Sequence, residues 1–223
     1  MFITFEGIEG CGKSTQAELL ADYLGGRGYG VLLTREPGGS ELGCRVRSML
    51  LSRDSTELSS EAELFLYLAD RAQHVQQIIR PALELGKIVI SDRYVDSTLA
   101  YQGYGRGMDL DTLHGLNRVA ISGTWPGITF LLDLSPELGL SRARKRNQDL
   151  DKTRAEGRFE AEQLEFHTRV RQGYLELAAS NRDRFVVLDG STDQENLFSA
   201  VLGHLAFVWP EKKKDVDNLV DRN

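Results

Sequence analysis

Residues 7–15, GIEGCGKST, restrict the fold of this chain more tightly than any other stretch. Gly7, Gly12, Lys13 and Ser14 satisfy the pattern G-x-x-x-x-G-K-[ST]. In that pattern the glycines let the backbone turn, so that successive N–H groups face an anion. The chemistry needs a buried strand before the loop and a helix after it, whose positive N-terminal end adds to the anion site. Both are legible: FITFEG (2–7) is an apolar run, and a helical pattern extends from Lys13 to about Arg27. Lys13 is placed to reach the outer phosphates, and the Ser14 hydroxyl to ligate Mg²⁺.

The same alternation continues along the chain. GVLLTREPGG (30–39) reads as a strand stopped by a Pro-Gly-Gly turn, and KIVISDR (87–93), ITFLLDL (128–134) and RFVVLDG (184–190) read as three more. Each lacks polar alternation, the pattern of strands buried on both faces. Strands alternating with helices imply an α/β fold with a parallel, doubly wound sheet. Helix starts are marked by Ser60 with Glu63 before a long helix ending near Leu85, by Ser135-Pro136, and by Thr192 with Glu195. In the long helix Tyr67, Arg71 and His74 share one face, and Phe65, Leu68, Ala72, Val75 and Ile79 form a seam expected in the core.

The chain has 223 residues, enough for one domain burying roughly 70% of its extended surface. Its net charge of -6 argues against a nucleic-acid coat. Two cysteines, Cys11 and Cys44, are too few for a disulfide framework, and no apolar stretch approaches a membrane span. The reading is one domain over 1–208, in a reducing cytoplasm, with a frayed tail at 209–223.

Asp92 ends the third apolar run, where ligands bind in open parallel sheets. Its carboxylate there either holds Mg²⁺ through water or caps the next turn. Cys11 lies among the loop N–H groups beside Lys13. It is either a small residue that fits a tight place or a thiol with a lowered pKa. The guanine-reading Asn-Lys-x-Asp of switch GTPases and the Leu-Ser-Gly-Gly-Gln of transport ATPases are both missing, which leaves a small-molecule kinase.

FEGIEGCGKST, TREPGG, LADRAQH, SDRY and STLAYQGYGRG, in this order and at these spacings, closely resemble bacterial thymidylate kinase. The resemblance runs from about residue 2 to about residue 205. It implies a P-loop nucleoside monophosphate kinase with a five-stranded parallel sheet, helices on both faces, a mobile lid at about 142–158, and a homodimer. The implied reaction moves the γ-phosphate of ATP to dTMP, with no nucleic acid or membrane as partner. A kinase for another nucleoside monophosphate and an ATP-driven switch or binding module are the alternatives.

On the donor side, the resemblance assigns ATP to Gly7, Ile8, Glu9, Gly10, Cys11, Gly12, Lys13, Ser14 and Thr15, with Arg142 and Arg146 as further contacts. On the acceptor side it places Arg93 and Arg47 on the dTMP phosphate, a task that suits the planar guanidinium fork. Taken from the residues alone, Arg47 is equally a solvated helix position. Tyr67 would stack on thymine, where family members often carry Phe, and its hydroxyl would need a partner. Arg71 would bond a base carbonyl, Thr98 and Gln102 would contact the base, and Glu9 would face the sugar 3′-hydroxyl. Glu36 is a further acceptor-side candidate, and His74 reads as structural. The attacking oxygen is already anionic, so catalysis is positioning and charge neutralisation by Lys13, Arg93, Asp92-bound Mg²⁺ and a lid arginine. The phosphate loop holds no arginine. GRFE matches a family Asp-Arg-x-Glu with Gly157 in place of Asp, which makes Arg158 the first choice and Arg154 the second.

Overall fold

The computed structural model describes residues 1–52, 58–150 and 157–208. Arg154 and the tail from 209 onward lie outside the described residues, as do positions 151–156 of the expected lid.

All five apolar runs are strands: β1 (Phe2–Glu6), β2 (Val31–Arg35), β3 (Ile88–Asp92), β4 (Ile128–Asp133) and β5 (Phe185–Asp189). They form one parallel sheet in the order β2-β3-β1-β4-β5. The three central strands are buried as their unbroken apolar character demands. The edge strands depart from the expectation of burial on both faces, since Leu33 in β2 is 41% exposed and Val187 in β5 is 49% exposed. Each has a neighbour on one side only, and continuous apolar sequence does not reveal which strand will be outermost. Phe5 of β1 and Phe130 of β4 stack at 5.3 Å, and the buried Thr4 and Thr129 hydroxyls meet at 2.8 Å.

The helices are α1 (Lys13–Gly25), α2 (Glu41–Leu51), α3 (Ser60–His74), α4 (Arg80–Glu84), α5 (Val95–Thr98), α6 (Leu110–Ile121), α7 (Pro136–Asp149), α8 (Leu164–Ser180) and α9 (Gln194–Val208). The expected long helix ends on time but is not uniform, because π-helical turns at Val75–Ile79 join α3 to α4. A second π segment, Leu99–Gly105, continues α5. π-helical insertions are often found at functional sites.

Three details correct the sequence reading. The cap of α3 is Ser59, whose Oγ accepts from the Ala62 N–H at 3.2 Å, and the Glu63 side chain turns into the protein instead of back to the helix end. The cap of α9 is Asp193, accepting from the Asn196 N–H at 2.9 Å, while the Thr192 hydroxyl donates to the Asp189 carbonyl. In both cases two adjacent residues can cap, and the register is set by the turn before the helix. Finally, Leu68, Val75 and Ile79 are in the core, but Phe65 is 60% exposed and Ala72 is exposed as well. Ser135 caps α7 as expected, with Pro136 at its first position.

Candidate active site

The site is built where β1 and β3 end side by side. Phe5 pairs with Asp92 across these strands, so the chain leaves β1 into the phosphate loop just as β3 leaves into Arg93. Arg93 adopts φ 72, a left-handed conformation uncommon outside glycine, pinned by its N–H on the Phe5 carbonyl at 2.9 Å.

On the donor side, Gly12 precedes α1 with φ 99, and Lys13 folds over the loop to donate to the Ile8 carbonyl at 2.7 Å. The Ser14 hydroxyl donates to Asp92 Oδ2 at 2.5 Å. A hydroxyl and a carboxylate at one strand edge are hard oxygen ligands of the type Mg²⁺ takes, and the ion usually fills its remaining positions with water and phosphate. Among the described residues no cluster of three or more His, Cys, Asp or Glu side chains competes for a metal. Cys11 is buried, and a Cβ at Gly7 would meet its Sγ at 2.8 Å, so it fills a tight place in the loop. Gly10 needs its missing side chain too, because a Cβ there would lie 2.1 Å from the Gly139 carbonyl of α7. The same contact brings Arg142 against the loop, where it donates to the Gly190 carbonyl at 3.0 Å. Arg146, one turn on, is half exposed beside Glu160.

On the acceptor side lies a cavity bordered by Glu9 and Arg93, by Glu36, Pro37 and Arg47, by Tyr67 and Arg71 of α3, and by Ser97, Tyr101 and Gln102. Leu51, Phe159 and Glu160 complete its wall. Arg47 lines it and donates to the Pro37 carbonyl at 3.0 Å. Arg45, two residues away, instead pairs with Glu41 in solvent. Arg93 donates to Gly7 O, Ser97, Tyr174, Glu9 and Tyr101 at 3.0–3.2 Å.

Arg71 is 1% exposed, and its guanidinium donates to Glu36, Thr98, Asn117 and the Tyr94 carbonyl at 2.7–2.9 Å. Four of five N–H groups are thereby used, which leaves one on a side chain that borders the cavity. Thr98 is absent from the cavity wall and is occupied in holding Arg71. Glu36 likewise braces Arg71, and it bonds His74, which reaches on to Thr34 at 2.7 Å. Tyr67 lines the cavity, and burial keeps it a neutral phenol by pushing its pKa up.

Arg158 is held on the acceptor side, pairing with Glu63 at 2.6 Å and donating to the Leu50 carbonyl. Glu9 is charged: burial opposes this, but His167, Arg93 and Lys13 together hold its carboxyl well below the usual range.

The residue model of the family described as Thymidylate kinase matches residues 5–201. The chain belongs to the thymidylate kinase family. It is 57% identical to a thymidylate kinase of Maridesulfovibrio salexigens over 90% of this chain and 93% of that one. A thymidylate kinase of Geotalea daltonii is 49% identical, over 92% and 97% of the two chains. The crystal structure of thymidylate kinase from Ehrlichia chaffeensis superposes with a TM-score of 0.73 at 39% identity, covering 92% of this chain and 97% of that one. Family membership removes the ATP-driven switch as an alternative. No helix among the described residues is long and apolar enough to cross a membrane.

Several members of this thymidylate kinase site escaped the sequence reading. Glu6, the last residue of β1, accepts from Tyr94 N–H, Ser97 and Tyr174 at 2.7–2.9 Å and sits directly behind Arg93's partners. His167 of α8 lies between Glu9, at 3.2 Å, and the Phe159 carbonyl, at 3.0 Å, tying the loop to the segment that follows Arg158. Tyr101 bonds Glu9. The signal for Glu6 was a carboxylate inside an apolar run; Tyr101, Tyr174 and His167 carried none, because they meet only after folding.

Proposed function

We infer that ATP and dTMP meet head-on in this cleft, with ATP on the phosphate loop and dTMP in the cavity beside it. The protein is a dTMP kinase that moves the γ-phosphoryl of ATP onto the acceptor phosphate, giving dTDP and ADP. The observation that carries this is one continuous wall: Glu9 and Arg93, which belong to the loop side, border the same cavity as Tyr67, Arg71 and Gln102.

Tyr67 stacks on the base, and the remaining Arg71 N–H reaches a base carbonyl. Arg47 and Arg93 take the acceptor phosphate. Glu9, anionic and pinned by Arg93 and Tyr101, accepts from the sugar hydroxyl. Lys13 leaves the Ile8 carbonyl for the donor phosphates. Ser14 and Asp92 would hold Mg²⁺, which would supply positive charge to neutralise the phosphates. Arg142 abuts the loop, as a donor-side contact requires, and Arg146 sits one turn further out on the same helix. The loop has no arginine of its own, so Arg158 exchanges Glu63 for the transferring phosphoryl as the lid closes.

Arg158→Ala should lower kcat by about 10³, the usual scale for an arginine of this role, with KM for both substrates little changed. An unchanged kcat would reject the assignment.

A homodimer fits the exposed apolar side chains on neighbouring helices: Phe65, Ala69 and Ala72 on α3, with Leu42 and Met49 on α2. Cytoplasmic residence is the compartment in which ATP and free thiols coexist with such an enzyme.

A further inference from the structure

We propose that Glu63 fixes base selectivity by dictating which end of the Gln102 side-chain amide faces the acceptor cavity. The proposal rests on the reading of that cavity as the dTMP site. Glu63 is 0% exposed and does not border the cavity, so it acts through Gln102 as a positioning residue.

Glu63 Oε1 accepts from Gln102 Nε2 at 2.7 Å and from Arg106 Nε at 3.3 Å. Its Oε2 accepts from Arg106 Nη2 at 3.1 Å and Arg158 Nη2 at 2.6 Å. Burial alone would raise the carboxyl's pKa, but Arg106, Gln102 and Arg158 outweigh it and hold the group below its ordinary value. An ionised carboxylate only accepts, so the amide must turn its NH₂ toward Glu63.

The other end, Gln102 Oε1, then faces the cavity as an acceptor, and among the described residues it has no hydrogen-bond partner. Arg71, which borders the same cavity, has one N–H left to offer. An acceptor beside a donor complements the N3–H and the 4-keto oxygen of thymine. A cytosine ring presents the reverse, a bare N3 and an amine, and meets both groups wrongly. Arg106 pairs with Glu63 independently of Arg158 and helps to keep it charged.

Glu63→Gln removes the constraint, because the new amide can donate to Gln102 Oε1 and let its NH₂ face the base. The kcat/KM ratio for dTMP over dCMP should fall by roughly tenfold or more, the scale of one misplaced buried hydrogen bond. The loss should lie in KM for dTMP and not in KM for ATP. Glu63→Asp, which keeps the charge but withdraws the carboxylate, should lower the ratio in the same direction. Wild-type protein gives a check free of any folding defect: N3-methylated dTMP, which has no N–H to donate, should compete with dTMP roughly tenfold or more weakly than dTMP itself. An unchanged dTMP:dCMP ratio in the folded Glu63 variants, or full-strength competition by the methylated analogue, overturns the proposal alone. A wild-type preference for a purine monophosphate overturns the reading of the cavity and the proposal with it.

Discussion

Arg93 shows how much of this site hangs on single side chains whose surroundings are assembled from distant segments. Its guanidinium touches the phosphate loop at Gly7, α5 at Ser97, the π segment at Tyr101 and α8 at Tyr174. The sequence told that Arg93 follows a strand end, and the resemblance is what implies a place for it on the acceptor phosphate. It did not tell that Glu6 would lie buried behind it. Burial, and then the charge of Asp96, push the Glu6 carboxyl from 4.5 up to about 7 despite the pull of Arg93. A folded-state pKa above the unfolded one means that the native protein binds the proton more tightly. Its contribution to stability is therefore complete below about pH 4.5 and is lost as pH rises toward 7. Urea unfolding of wild type and Glu6→Gln over this range should show wild type losing ground to the variant as pH rises. A difference between them that stays constant with pH would contradict the assignment.

At the scale of elements, the contact that organises the donor side is the approach of α7 to the phosphate loop. A Cβ at Gly139 would lie 2.5 Å from the Glu9 carbonyl and 3.0 Å from Ile8 Cδ1. Gly139→Ala therefore has to push α7 and the loop apart, an overpacking that should cost about 1–3 kcal/mol and raise KM for ATP. Urea unfolding together with ATP titration of the rate checks this, and a variant matching wild type in both would show that the approach is not tight. Strand existence was plain in the sequence, because five β-rich apolar runs bounded by turns permit little else. Strand position was not: β2 and β5 look as apolar as the central three, and only the pairing order makes them edges. The caps slipped by a residue at Ser59 and Asp193 because each neighbour could also serve. The seam on α3 was half right, since a helix periodicity of apolar residues gives a face without saying whether core or another chain covers it. Thr98 fell to a similar limit. Helical spacing puts it one turn from Gln102, but only the fold shows that its hydroxyl is spent on Arg71.

For the molecule as a whole, the acidic net charge of -6 coexists with a cleft whose polar groups are largely arginines held by buried carboxylates. The charge that matters for catalysis is thus local, and composition could argue against a nucleic-acid coat without pointing to the site. The exposed apolar stripe of α3 carries the proposed dimer; light scattering at micromolar concentration should give twice the 24.9 kDa chain mass, and a monomer there would contradict it. The central claim is that donor and acceptor share one cleft and that the acceptor is dTMP. It is tested most directly by following ADP release from ATP and Mg²⁺ with dTMP, dUMP, AMP and CMP supplied in turn. ADP should form only when a monophosphate is present, fastest with dTMP, and in equal amount to the dTDP produced. ADP release that proceeds at the same rate with no monophosphate added would contradict the account.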